Sequence, residues 1–262
     1  MLTFALCRRK PEYAELTPRR SPRATFDHGS PISPLSAPNQ GPIRMTGVYF
    51  EGVLEVIKDM QRCTSIFLAR SNQMGNAHII SSGQLAACDA QLQTIYSRIL
   101  LLPSSEDGMV PDWVYESCRI AALIYCRSII HGATFADSAN MSPARLSGTS
   151  PGGATLLSSL HDALARTNTQ NCWGRDLSGV FLWVTLIGSA ASWDTPSSSH
   201  GGQHEEKLHS LAWMRKCFTL YAVRAAVSVP FEHADSTIHA LRTMLEIRHW
   251  IKVKIGRQAA DQ

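Results

Sequence analysis

Residues 177–193, LSGVFLWVTLIGSAASW, carry no charge, and Asp176 and Asp194 bound them. So long an uncharged run has to leave water, and few architectures allow that. A membrane helix needs ~20 mostly apolar residues. Here Ser178, Gly179, Thr185, Gly188, Ser189 and Ser192 interrupt the run, and its dense part, residues 180–187, is short. Its flanks are aspartates rather than a basic collar. A helix lying in a membrane interface would show a charged face, and this one has none. The remaining solution is a helix apolar all round, surrounded by other helices in a bundle. Gly188, Ala191 and Ser192 would give it a small face for close approach, while Val180, Phe181, Trp183, Val184 and Ile187 fill the space around it.

The rest of the chain supplies the neighbours. Apolar residues recur at spacings of three and four over 46–70, with a break expected near Cys63–Thr64. Residues 81–102 carry a stripe of Leu85, Cys88, Leu92, Ile95, Ile99 and Leu102, with Ser81 or Ser82 as cap and Pro103 as stop. Residues 111–132 show Trp113, Ile120, Leu123, Ile124 and Ile130, with Asp112 as N-cap and Gly132 as terminator. Glu116 and Arg119 lie three apart there and can pair. Helical spacing returns in 154–166, through Leu156, Leu157, Leu160 and Leu164, and in 177–193, capped by Asp176. It continues in 205–227 (Leu208, Leu211, Met214, Cys217, Phe218, Tyr221) and in 235–254 (Ile238, Leu241, Leu245, Arg248, Trp250). Residues 133–153 and 194–204 read as loops. No alternating strand with hairpin signals occurs. The fold class expected is all-α: a multi-helix bundle of about seven helices behind a disordered N-terminal tail. The domain plan is 1–45 tail, 46–255 helical domain and 256–262 disordered C-terminus.

The tail assignment rests on composition. Seven of the thirteen prolines fall in residues 1–45, among Ser and Gly, without apolar periodicity. The same segment holds seven Lys/Arg against three acids, which is the chain's whole net charge of +4. Any pull on nucleic acid or an anionic surface therefore comes from there, apart from a local patch. Arg8, Arg9, Lys10, Arg19, Arg20 and Arg23 form a candidate nuclear-import signal or nonspecific DNA contact. The start resembles a secretory signal poorly, because its apolar stretch is short and the basic cluster follows it. An Arg-rich, acid-poor start also suits a mitochondrial presequence, but the prolines spoil an amphipathic helix. Seven scattered cysteines without C-x-x-C fit buried thiols in a reducing compartment.

Three short matches to catalytic motifs lack their structural context. Residues 148–152 (GTSPG) fit G-x-S-x-G, but the preceding residues are loop, and Pro151 lacks the N–H that an oxyanion hole would use. His204 and His209 in HEEKLH stand five apart, a turn of ~140°, so their rings diverge. His200 and His204 have the right spacing across two glycines in a loop. His161-Asp162 is expected to be exposed. No catalytic, metal or cofactor residue is assigned, and the chain is not expected to be an enzyme.

Three stretches do carry a resemblance: 112–125 (DWVYESCRIAALIY), 160–192 (LHDALARTNTQNCWGRDLSGVFLWVTLIGSAAS) and 213–226 (WMRKCFTLYAVRAA). Tyr115-Glu116-x-x-Arg119-x-Ala121-Ala122-Leu123 and Gly179-Val180-x-x-Trp183 are the most specific parts. In this order the chain resembles the fungal-specific transcription factor domain, the helical regulatory region of zinc-cluster activators, over roughly residues 46–255. The resemblance implies a transcription regulator in the nucleus, acting through protein partners of the transcription machinery, with a homodimer and a small-molecule effector as further expectations. That family's DNA reader is a six-cysteine, two-zinc module. Cys7 is the only cysteine before Cys63, so the module is missing here and its ligands carry over to no position. Direct sequence-specific DNA binding is not expected of this chain, which either works through partners or is a truncated product. The alternative is a helical small-molecule-binding protein or enzyme, with Trp173, Trp183, Trp193 and Trp213 as candidate pocket walls. A third is a protein anchored at a membrane surface by residues 177–193.

Overall fold

The computed structural model describes residues 32–35, 51–75, 82–105, 111–140, 155–169, 172–174, 177–193, 204–229 and 231–260. The fold is all-α, with no strand among these residues. Eight helices follow in order: α1 (Glu51–Gly75), α2 (Ser82–Leu101), α3 (Trp113–His131), α4 (Phe135–Ala139), α5 (Leu156–Arg166), α6 (Ser178–Trp193), α7 (His204–Ser228) and α8 (Ala234–Ala260). A 3₁₀ turn, Phe231–His233, joins the last two. No helix among the described residues is long and apolar enough to cross a membrane.

The uncharged stretch is α6, and thirteen of its sixteen residues are buried. It packs against α3, α4, α5 and α7. At Gly188 a side chain of α7 packs directly on the α6 backbone: a Cβ there would lie 2.2 Å from Phe218 Cε1, so only glycine admits the buried Phe218 ring. The second central helix is α3, with fifteen of nineteen residues buried and α1, α2, α4, α5 and α6 around it. Its ends are as the sequence predicts. Asp112 accepts the Tyr115 N–H, and Gly132 closes the helix in the left-handed conformation at φ 60°. Thr155 and Ser158 form a reciprocal capping box at the start of α5.

Four expectations change. α1 is unbroken through Cys63–Thr64. The Thr64 hydroxyl bonds back to the Met60 carbonyl at 2.8 Å and stays within the helix. The loop expected at 133–153 contains α4, which Thr134 caps and whose Phe135 is buried. The helix ending the chain does not stop near 255: α8 runs to Ala260, so residues 256–260 are helical rather than a disordered C-terminus. Of the residues whose spacing marks α8, Ile238, Leu241 and Leu245 face outward while Trp250 packs against the core, and Ala240, Met244, Ile247 and Ile251 are the buried ones. Spacing alone fits both stripes; alanine and threonine on the docking side made it look the less apolar of the two.

Within the expected tail, residues 32–35 are seated on the bundle. Ile32 and Leu35 are buried, Gln61 Nε2 donates to the Ser33 carbonyl at 3.0 Å, and the Leu35 N–H bonds the Ser33 hydroxyl. A Cβ on Gly179 would come within 2.5 Å of the Ile32 carbonyl oxygen, so α6 keeps a glycine where this turn crosses it. The rest of the 1–45 assignment lies outside the described residues.

Gly188→Leu should overpack the α6–α7 contact and lower stability by ~1–3 kcal/mol in urea unfolding. Combining it with Phe218→Leu should cost less than the sum of the two single changes. Unchanged stability of Gly188→Leu would show that α6 is not central.

Candidate functional site

The basic residues Arg8, Arg9, Lys10, Arg19, Arg20 and Arg23 lie outside the described residues, as do 148–152, Asp176, His200 and the side chain of His204. His161 is half-buried rather than exposed. Its ring meets Phe218 edge-on at 6.1 Å, and its Nδ1 lies 3.4 Å from the exposed Asp162. Among the described residues no three of His, Cys, Asp and Glu gather closely enough to hold a metal ion.

The four tryptophans do not line one pocket. Trp173 stacks on Phe181 at 4.9 Å and donates its indole N–H to the Thr167 hydroxyl. Trp183 is wholly buried and meets Tyr125 edge-on at 5.9 Å. Trp193 and Trp213 are 51% and 62% exposed. Arg215 lies over the Trp193 ring at 4.9 Å and donates to the Ser192 carbonyl, which closes the C-terminal end of α6.

Three clusters of polar or titratable side chains stand out among the described residues. The first is the start of α3. Arg119 grips Glu116 through Nε and Nη2 at 3.0 and 2.6 Å, with both residues buried. The sequence anticipates this pair, but not its third member. Glu116 Oε2 also accepts the Ser105 N–H at 3.1 Å, and the Tyr115 hydroxyl donates to the Pro103 carbonyl at 2.9 Å. These residues therefore hold the α2–α3 connection to the core. Burial, ahead of neighbouring charges, raises the Tyr115 phenol above its ordinary pKa.

The second place joins α1, α3, α4 and α6 around Tyr125. Its hydroxyl is 2.7 Å from Thr64 Oγ1, and its ring packs on Phe135 and Trp183. Next to it, Cys126 Sγ lies 3.6 Å from Met60 Sδ and 4.0 Å from Cys63 Sγ, all buried. Cys63, Cys88, Cys118, Cys126, Cys172 and Cys217 are free thiols. Desolvation raises Cys118 and Tyr125, while the hydrogen bond from Cys126 to Cys63, then burial, raises Cys126. Thiols held protonated are poor nucleophiles, so packing is what Cys118 and Cys126 contribute.

The third place is a half-open cleft of about 340 Å3 where α1, α2, α3 and α8 meet. Arg70, Asp89, Gln93, Lys254 and Gln258 line it together with Leu92 and Ile130. Its volume reaches the small end of ligand sites. Its charged groups are already engaged, however. Arg70 pairs with Asp89 at 2.8 Å, and Lys254 Nζ donates to the carbonyls of Ile129 and Ile130 at 3.0 and 2.6 Å. Lys254 thus caps the C-terminus of α3, where cations are favoured, although burial lowers its pKa. Gly132 makes room for it, because a Cβ there would meet the Lys254 stem at 2.9 Å. The residues of this cleft stand far apart in the chain, and no local pattern could have brought them together on paper.

Comparison of the chain with known protein families, with curated proteins and with solved structures found no match.

Two outcomes follow. Glu116→Gln leaves a buried guanidinium uncompensated and should cost about 3–5 kcal/mol in urea unfolding, whereas Glu116→Leu with Arg119→Met should recover most of that loss. Tyr125 keeps its proton in the folded state above the pH at which an exposed phenol ionises. Its contribution is therefore complete below the ordinary phenol value and lost as pH rises through the raised one. Tyr125→Phe should cost about 1 kcal/mol near neutral pH and should show a shallower alkaline loss of stability than the parent chain.

Proposed function

We propose that this chain is a helical regulatory domain of the fungal transcription-factor type, without its own zinc-cluster DNA reader, that regulates transcription through protein partners rather than by catalysis. The observation that supports this reading is where the resembling stretches fall. Residues 112–125 lie on α3, and the Gly179-Val180-x-x-Trp183 segment lies on α6, the two helices with the most buried residues. Residues 213–226 lie on α7, whose Phe218 reaches Gly188. Stretches that look like one family in the sequence thus form one core. Tyr115, Glu116 and Arg119 act there as staples between helices, as residues shared by a fold rather than by a reaction would.

A protein of this kind presents surface to partners, and α7, α8 and the turn between them keep large apolar side chains in water: Leu220, Val223, Val227, Phe231 and Leu245 are each more than half exposed. Scattered apolar residues are ordinary on a surface, but such rows are not. The basic segment at residues 8–23 supplies the nuclear address.

A fluorescent fusion of the full chain should accumulate in nuclei, and deleting residues 1–30, which leaves the docked turn at 32–35 in place, should abolish that. Tethering the chain to an unrelated DNA-binding domain should change the output of a reporter gene. Exclusion from the nucleus with and without residues 1–30, together with an unchanged reporter, would overturn the reading.

A further inference from the structure

α7 has two apolar faces. One is buried through Met214, Phe218 and Ala225. On the other, Trp213, Lys216, Leu220, Val223 and Val227 recur at spacings of three, four, three and four. At 3.6 residues per turn these five positions fall within about 80° of one another, diametrically opposite Phe218. Trp213, Leu220, Val223 and Val227 are 62%, 69%, 56% and 79% exposed. A row kept up at this interval for ~21 Å has the form of a coiled-coil seam, which takes another helix rather than a strand or a small molecule. The outward row on α8, Ile238, Leu241 and Leu245, is shorter and less exposed, at 45%, 39% and 64%.

Charge selects the occupant. Residues 208–229 contain no aspartate or glutamate. Of their three cations, Arg215 is turned toward the end of α6, while Lys216 lies exposed within the seam and Arg224 lies beside it. Two copies of this seam laid together would bring cations to cations with no acid between them. A duplex nucleic acid would satisfy the cations and leave four large apolar side chains without a counterpart. A helix carrying leucine-like residues on one face and acids along its margins satisfies both.

We propose that the outward seam of α7 is the docking site for an acidic amphipathic helix of another protein. It rests on the partner half of the reading above and not on nuclear location, so it stands or falls in purified components. Trp213 is the anchor, since aromatic side chains carry most of the affinity at such contacts. Lys216 and Arg224 set the preference for acids.

Two designed helical peptides test this, identical along the apolar face and bearing either glutamates or lysines at the margins. Binding to the full-length chain is read by fluorescence anisotropy. The acidic peptide should bind at least ~10-fold more tightly than the basic one at low salt. Leu220→Asp and Val223→Asp should each weaken it ~10-fold or more without lowering the melting temperature. Lys216→Glu with Arg224→Glu, which alters only charge, should erase or invert the preference. Equal binding of the two peptides, no binding of either, or a preference that survives these substitutions would overturn the proposal. So would a dimer in light scattering that Val223→Asp dissolves, which would give the seam to a second copy. Duplex DNA that displaces the acidic peptide and is itself weakened by Leu220→Asp would assign the seam to nucleic acid and overturn it as well. A nuclear fusion with no peptide preference would sink the docking site alone; peptide preference with nuclear exclusion would sink the location alone.

Discussion

A helix without charge has no side to give to water, and that constraint organises this molecule. α6 has to be covered all round, and α3, α4, α5, α7 and the turn at residues 32–35 cover it. Two close approaches fall on glycines. At Gly179 a passing backbone carbonyl takes the space a Cβ would need, and at Gly188 the Phe218 ring does. Small residues at these points let the surrounding elements come close, as a densely packed interior requires. The Tyr125–Trp183 contact then couples α6 to α3, so the two central helices share one interior rather than two.

That interior is not purely apolar. Several of the hydroxyls and charges drawn inward bond a partner on a neighbouring element, while others, such as Ser117 and Thr185, bond back to a carbonyl of their own helix. Ser128 on α3 bonds the Ser138 hydroxyl on α4 at 2.9 Å, Thr64 on α1 bonds Tyr125, and Glu116 holds both Arg119 and the Ser105 amide. Burying such groups costs energy unless they are satisfied, so each bond makes one helix arrangement cheaper than the alternatives. Lys254 does the same at the surface, where it reaches from α8 to the last carbonyls of α3.

Elements whose signals are local were legible in the sequence. The Asp112 cap, the Gly132 stop, the Glu116–Arg119 pair and the burial of 177–193 each depend on residues within one or two turns of one another. What was not legible depends on partners far away in the chain. α4 is too short to show a period, and it exists because Phe135 finds Tyr125. The docking side of α8 is marked by Ala240, Thr243 and Met244, which a search for leucines passes over. The cleft at the end of α3 needs Arg70, Asp89 and Lys254 together, which only the fold arranges. The basic residues of the N-terminal segment were legible as composition alone, and their role depends on a partner that neither pattern nor packing supplies.

The apolar rows on α7 and α8 follow from the same logic that buries α6. Helical spacing is satisfied twice over on α7, and the bundle has used one face only. Phe218 won the inward place because Gly188 leaves a slot shaped for it, whereas Trp213, Leu220, Val223 and Val227 have no such slot opposite them. A helix apolar on two opposite sides is what a helix in the middle of a stack looks like, and here one side of that stack is open. Its cations on a stretch of α7 that holds no acid between residues 208 and 229 narrow the choice of neighbour, because the apolar row alone would accept almost any amphipathic helix and the charges alone almost any acid.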